Sequence, residues 1–425
     1  MRRHPLSVLV GLSGNPIFLA AQRLSQWRPR TQNFPMTTVK DTLVTRLIPG
    51  MASNPMAANA GPFDIPVPDV VDLGARIDTL DCILAADNPG AALKLARTAG
   101  GDFRREFAAT GRVAHASTHD LVTLPYPTKF GLWRAAITPA PFLMITNRLV
   151  IVRWDDTDGR RRTLLWEPSD YELDANTPYF AALADKAPDA LRNLAMREYA
   201  TVAHRLAAAG VDPAEVDYIA FDHLHTQDVR RLIGTTTPQA DISPTAPVPA
   251  LFPNARLVVQ RQELEAMRDL HPLQRPWYQP ETMVDLDPAR IAPIDGDRLL
   301  GPGVAIVRTP GHATGNQTLV LNTETGIWAM SENVIAAELL TPEHSKIPGV
   351  AGWTRKWGQE LILNANILES TATQYNSCVL EKTLVDRSQV DERFLQFFPT
   401  SELTASPLAP GAAPTFTHRR LRTGS

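Results

Sequence analysis

Two stretches of this chain run as β-like segments straight into histidine. YIAFDHLHTQDVRR covers 218–231 and GVAIVRTPGHATGN covers 303–316. In an extended segment residues i and i+2 point the same way, so His223 and His225 can both present a ring nitrogen to one ion at about 2.1 Å. A third ligand must come from elsewhere. His312 is suited to it: a strand ends at Thr309, and Pro310-Gly311 turns the chain and presents the imidazole. A further strand, in GIWAMSEN, delivers Glu332, a carboxylate able to complete the shell or bridge two ions. These demands constrain the fold strongly. Strands distant in sequence must end at a common edge, with helices covering the sheets, which predicts a layered α/β protein with its site at the strand ends.

The rest of the chain is compatible with that. With 425 residues, 44% of them hydrophobic, a large core is affordable. FLMITNRLVIVRWDD, TDG and RRRTLLWEP form a predicted hairpin, DALRNLAMREYATVAHRLAAAG has helical spacing with a C-terminal glycine, and LILNANILESTATQYNSCVLEKTLVDR predicts a late helix. Between 63 and 130 the chain reads as short helices broken at NPG and GG, a helical N-terminal extension offering a surface for a homo-oligomer. Residues 1–62 read as a flexible leader, rich in arginine and then in Met, Ala, Asn and Pro. Glycines and Pro16 interrupt any signal-peptide core there, and Met36 is an alternative start. Residues 131–405 form the main predicted domain. The Pro/Ala/Thr-rich segment 406–425 reads as a flexible tail.

Composition excludes several classes. The net charge is −3, without the basic field of a nucleic-acid binder. No apolar run reaches the roughly 18 residues of a spanning helix, so no membrane partner is predicted. Only Cys82 and Cys378 are present, which removes a disulfide framework and a cysteine zinc site and suits a cytoplasmic location. No P-loop, dinucleotide fingerprint or serine-nucleophile elbow occurs.

The ordered set strand–HLHTQD–strand–helix–TPGHATGN–strand–strand–SEN resembles the metallo-β-lactamase fold hydrolases over roughly residues 131–405. The resemblance implies a four-layer αββα sandwich (α/β, or α+β) and a metal-dependent hydrolase of a small-molecule ester, lactone or amide, using metal-activated water. It implies Zn²⁺, one or two ions, with Fe²⁺ and Mn²⁺ also suited to such ligands. The first-site histidines fall on His223, His225 and His312, and the family's aspartate falls on Glu332. The second-site Asp-His pair falls on Gln227 and Asp228, and the late histidine on Thr400-Ser401. The first site is therefore intact in type and the second rewritten, with Asp228 either a second-site ligand and proton acceptor or a cap for the helix that follows.

Two rival readings differ in class. His223, His312 and Glu332 also match a two-histidine, one-carboxylate triad for a single Fe²⁺ in an oxygenase-type enzyme. A metal-free relic serving as a binding module is the other. His115 and His119, four apart, lack the glutamate of an HExxH motif and read as structural. His204 reads as packing, His344 as a reserve ligand, and Trp277-Tyr278 as local packing or a pocket wall.

Overall fold

The computed structural model describes residues 65–185, 196–365 and 370–424. The predicted leader and the Met36 start lie outside them, as do residues 189–195 of the helix expected from residue 189; in its described part Arg197–Glu198 is a strand and only Val202–Ala209 is helical. Two sheets face each other. The first orders Ile291–Ile294, Arg256–Gln260, Tyr218–Ala220, Arg161–Trp166, Phe142–Asp155, His115–Pro127 and Arg422–Gly424, with Ser401–Thr404 and Arg197–Glu198 paired beside it. The second orders Ala75–Ile77, Asp297–Gly301, Val304–Arg308, Gln317–Thr323, Gly326–Ser331 and Phe397–Pro399.

Strand alternation decides what lies between the sheets. Val150, Val152 and Trp154 of the first sheet join Val304, Ile306, Leu319 and Leu321 of the second in one apolar cluster. Their neighbours Leu149, Ile151, Ala305, Val307 and Val320 point the other way, into a second cluster shared with helices. A period of two thus builds both the inner core and the seats for the outer helices. Val202–Ala209 and Arg261–Arg268 contribute Val202, Leu206, Leu264 and Met267 to that outer cluster. Thr371–Leu384 packs with Pro89–Ala109 on the second sheet's side. The result is the four-layer αββα sandwich.

Three boundaries differ from the sequence reading. Residues 63–130 are only partly helical: Asp81–Leu84 and Pro89–Ala109 are helices, but His115–Pro127 is a strand inside the first sheet. The spacing of His115 and His119 belongs to a strand face, where Ser117 Oγ bridges their Nε2 atoms at 3.0 and 2.9 Å. The predicted break at Gly100-Gly101 is absent, because the helix runs through to pack on its neighbour, with Thr383 Oγ1 donating to the Ala96 carbonyl at 3.2 Å. Asn88 caps this helix from its N-terminus, accepting from Ala91 N at 2.9 Å.

The third difference is the C-terminal segment, expected to be a flexible tail. Through residue 424 it is tied down instead: Arg422–Gly424 pairs with His115–Ser117, and the buried Glu338 accepts from the backbone N–H of Thr415 and Phe416. Its composition suggested disorder, but its donors find a carboxylate distant in sequence. No helix among the described residues is long and apolar enough to cross a membrane.

Candidate metal centre

His223 and His225 follow the first-sheet strand Tyr218–Ala220; His312 follows the second-sheet strand Val304–Arg308. Glu332 directly follows Gly326–Ser331. All four meet where the two sheets end. The ring centroids of His223 lie 4.4 Å from those of His225 and 4.6 Å from those of His312, and His225 and His312 are 5.3 Å apart. One ligand nitrogen from each of the three lies within 4.8 Å of the others. Glu332 Oε2 stands 4.0 Å from His223 Nε2.

Local backbone makes these placements obligatory. Gly311 has φ +131°, and a Cβ there would come within 2.2 Å of Gln374 N, so only glycine can precede His312. Thr226, just after His225, takes φ +65°, an uncommon conformation for a β-branched residue. The strained turn is held by Thr226 N donating to the Trp277 carbonyl at 2.7 Å.

Hydrogen bonds on the far side of two rings fix their tautomers. His223 Nδ1 contacts Asp222 Oδ1 at 2.5 Å, and His312 Nδ1 donates to the Asn364 carbonyl at 2.8 Å. In both rings Nε2 is then the atom left for the cluster, as a lone pair on neutral His312 and as the N–H that a cation would displace on His223, whose charged form Asp222 favours. Such carboxylate or carbonyl partners are the usual outer support of a metal-bound imidazole. Asp222 is itself held by Thr400 Oγ1 at 2.8 Å, and its backbone N–H donates to Glu167 at 2.6 Å. His223 Nε2 is buried with no hydrogen-bond partner. A buried imidazole nitrogen without a hydrogen bond, beside two more imidazoles and a carboxylate, fits a divalent cation such as zinc.

The electrostatics agree. Burial pushes the His312 imidazole down to about 3, with His223 adding to the effect, and His225 is held well below its ordinary range for the same reasons. Burial also opposes charge on His223, but Asp222 overrides it and raises that imidazole to about 9. Burial raises the Glu332 carboxyl to about 7 against the attraction of His223. Two neutral imidazoles and a carboxylate reluctant to ionise are groups whose charge state a bound cation would settle.

Asp228 is not brought to this cluster. Arg230 takes its carboxylate, Nη2 to Oδ2 at 2.7 Å and Nε to both oxygens at 3.1 and 3.2 Å. It also accepts from Arg230 N at 3.1 Å, at the first residue of the short helix Arg230–Ile233, whose N-cap position is Val229 rather than Asp228. Gln227 does line the cavity, where an amide replaces a carboxylate. Thr400 and Ser401 stand at the junction of the strands Phe397–Pro399 and Ser401–Thr404 with no imidazole, Ser401 hydrogen-bonding Glu332. His344 lies away from the cluster in the turn Pro342–His344, its ring against Phe394.

Asp222 and Asn364 were missed in the sequence. Asp222 sits inside the quoted motif, yet only its partners reveal its use. Trp277 does form a pocket wall, and Tyr278 packs its ring against His225 at 4.6 Å. The cavity above the cluster has a volume of about 400 Å³ and is mostly apolar, walled by Phe142, Met144, Ile145, Phe180, Leu183 and Trp277.

No family model matches the chain. It is 30% identical over 129 residues to the N-acyl homoserine lactonase AiiA of Bacillus thuringiensis subsp. kurstaki, and equally to the lactonase of subsp. indiana. That match covers 30% of this chain and 42% of each relative, so the chain spans about two fifths of the length of the curated relatives it matches. Among solved structures, a quorum-quenching N-acyl homoserine lactone lactonase aligns with 59% of this chain and 87% of its own, at 20% identity and a TM-score of 0.37. A probable metal-dependent hydrolase from Staphylococcus aureus aligns with 63% and 84%, at 12% identity and a TM-score of 0.43.

Proposed function

We propose that this chain is a metal-dependent hydrolase of the metallo-β-lactamase superfamily that cleaves an ester or lactone carrying an apolar acyl group. The observation that carries the reading is the buried Nε2 of His223, without a hydrogen-bond partner and facing His312 and Glu332. His223, His225 and His312 would hold one ion, with Glu332 as the fourth protein ligand. Such an ion supplies Lewis acidity and water of lowered pKa.

The chain's own groups provide the rest. Asp222 and the Asn364 carbonyl keep two rings in the tautomer that offers Nε2. The Tyr126 phenol, raised well above its ordinary range by burial and hydrogen-bonded to the Asn364 side chain, stands on the cavity wall, where it would face a substrate carbonyl. Ser401 is a second hydroxyl at that wall. The apolar walls bind the acyl portion and exclude water from the reacting bond. With Asp228 committed to Arg230, the second ligand set lacks its hard anion, and the reading is of one metal rather than two. The name of the lactonase relatives makes lactones the first substrates to try, and the cavity favours those with apolar chains.

The test is turnover of acyl esters and lactones of increasing chain length, with and without a chelator, by the wild type and by His223→Ala and His312→Ala. Activity lost to the chelator, restored by zinc and absent in both variants supports the reading. Full metal content and activity in both folded variants would sink it.

A further inference from the structure

The three histidines come from two sheets, and apolar packing between sheets is not directional enough to fix the spacing of their loops to a bond length. Gln317 ties the strand ends: its N–H and Nε2 donate to the carbonyls of Asp222 and Phe221, both at 2.8 Å. The loops beyond those ends are joined by another side chain. Glu263, fully buried in the first turn of the helix Arg261–Arg268, accepts from Leu224 N at 3.1 Å through Oε1 and from Gly315 N at 2.8 Å through Oε2. Leu224 separates His223 from His225, and Gly315 lies in the loop that presents His312. The fit leaves no slack, since a Cβ on Gly315 would come 2.3 Å from Glu263 Cβ. Tyr278, whose ring lies against His225, donates its hydroxyl to Oε1 at 2.8 Å.

We propose that Glu263 is a positioning residue whose single carboxylate clamps the His223–His225 segment to the His312 loop and so sets the spacing of the three imidazoles. The inference rests on reading those histidines as metal ligands. Two backbone N–H groups from loops that follow strands of different sheets converge on one carboxylate. A glutamine cannot replace it, because its NH₂ must face either Gly315 N–H or Leu224 N–H, donor against donor. Glu263 touches neither substrate nor the reacting atoms in this role.

Cobalt(II) is the probe. The full chain and the variants Glu263→Gln, Glu263→Asp and Tyr278→Phe are titrated with Co²⁺ against a competing chelator. The visible absorption bands are recorded, with circular dichroism and urea unfolding of the metal-free proteins alongside. Glu263→Gln is expected to bind Co²⁺ about 10- to 100-fold more weakly, with shifted bands. Glu263→Asp, too short to reach both loops, is expected to weaken binding by about fivefold or more. Tyr278→Phe keeps both backbone ties and the ring packing, so its affinity stays within about threefold.

A folded Glu263→Gln that binds Co²⁺ with wild-type affinity and spectrum overturns the inference, even if it is less stable. Wild-type binding by Glu263→Asp does the same should the glutamine variant fail to fold. A loss in Tyr278→Phe equal to that in Glu263→Gln also overturns it, since the backbone ties would then not be the cause. Failure of the wild type itself to bind Co²⁺ removes the metal reading and the inference with it.

Discussion

Arg230 closes on Asp228 in a buried ion pair, Nη2 to Oδ2 at 2.7 Å, with the two side chains 3% and 2% exposed. The same guanidinium reaches Asp241 Oδ2 at 2.7 Å. A carboxylate in the register of a second metal ligand therefore serves a neighbouring cation. Asp228→Ala should leave the metal content unchanged while costing about 2 kcal/mol of stability, since removing one member of a buried pair strands the other. Asp241 still pairs with Arg230, which keeps the loss below the full penalty. Urea unfolding and elemental analysis of the same preparation check both halves.

Asp222 gives a second prediction. It holds His223 Nδ1 and is held by Thr400, so Asp222→Asn keeps the shape and removes the charge. Zinc affinity measured by chelator competition should fall about 10- to 100-fold, with secondary structure intact. Unchanged affinity would mean that the aspartate only fills space.

The cavity yields a prediction about selectivity. Met144 lines it from the strand Phe142–Asp155. Met144→Trp should narrow the cavity, lowering kcat/KM for long-chain acyl substrates by about tenfold or more while acetyl substrates change little, as loss of apolar contact over a few methylenes requires. A uniform loss across chain lengths would indicate that this cavity does not receive the acyl group.

Away from the site, Asp297 is buried, and burial raises its carboxyl to about 7 although Arg308 N donates to it. A carboxyl raised in the folded state favours folding below its unfolded value near 3.8, and that contribution is lost as pH rises through about 7. Asp297→Asn keeps an acceptor for Arg308 N without a charge. Its midpoint of thermal unfolding should exceed that of the wild type at pH 8, and the gap should close between pH 7 and 4. A gap independent of pH would contradict the assignment.

The cluster is legible in the sequence because its histidines are encoded locally. An i, i+2 histidine pair at a strand end and a Gly-His step after a strand are short patterns whose geometry follows from the backbone alone. The supports of those ligands are not local. Asn364 acts through its carbonyl, which no side-chain pattern signals, and Glu263 matters only because two distant loops come to it.

Asp228 shows the converse. Two residues on, Arg230 was visible in the same motif, yet which way the carboxylate turns depends on the short helix between Arg230 and Ile233. At the N-terminal side, His115, Ser117 and His119 lie on one face of a strand, and that alternation was available beside the i, i+4 reading. Composition points to a flexible C-terminal segment because it measures self-sufficiency, whereas Arg422–Gly424 is ordered by pairing with His115–Ser117 and Thr415 by Glu338.

In the proposed function His223, His225, His312 and Glu332 hold one catalytic ion. Elemental analysis of full-length protein, purified without added metal or a histidine tag, tests it most directly. About one equivalent of zinc per chain is expected, absent from His312→Ala. About two equivalents, or none even after reconstitution with zinc, would contradict it.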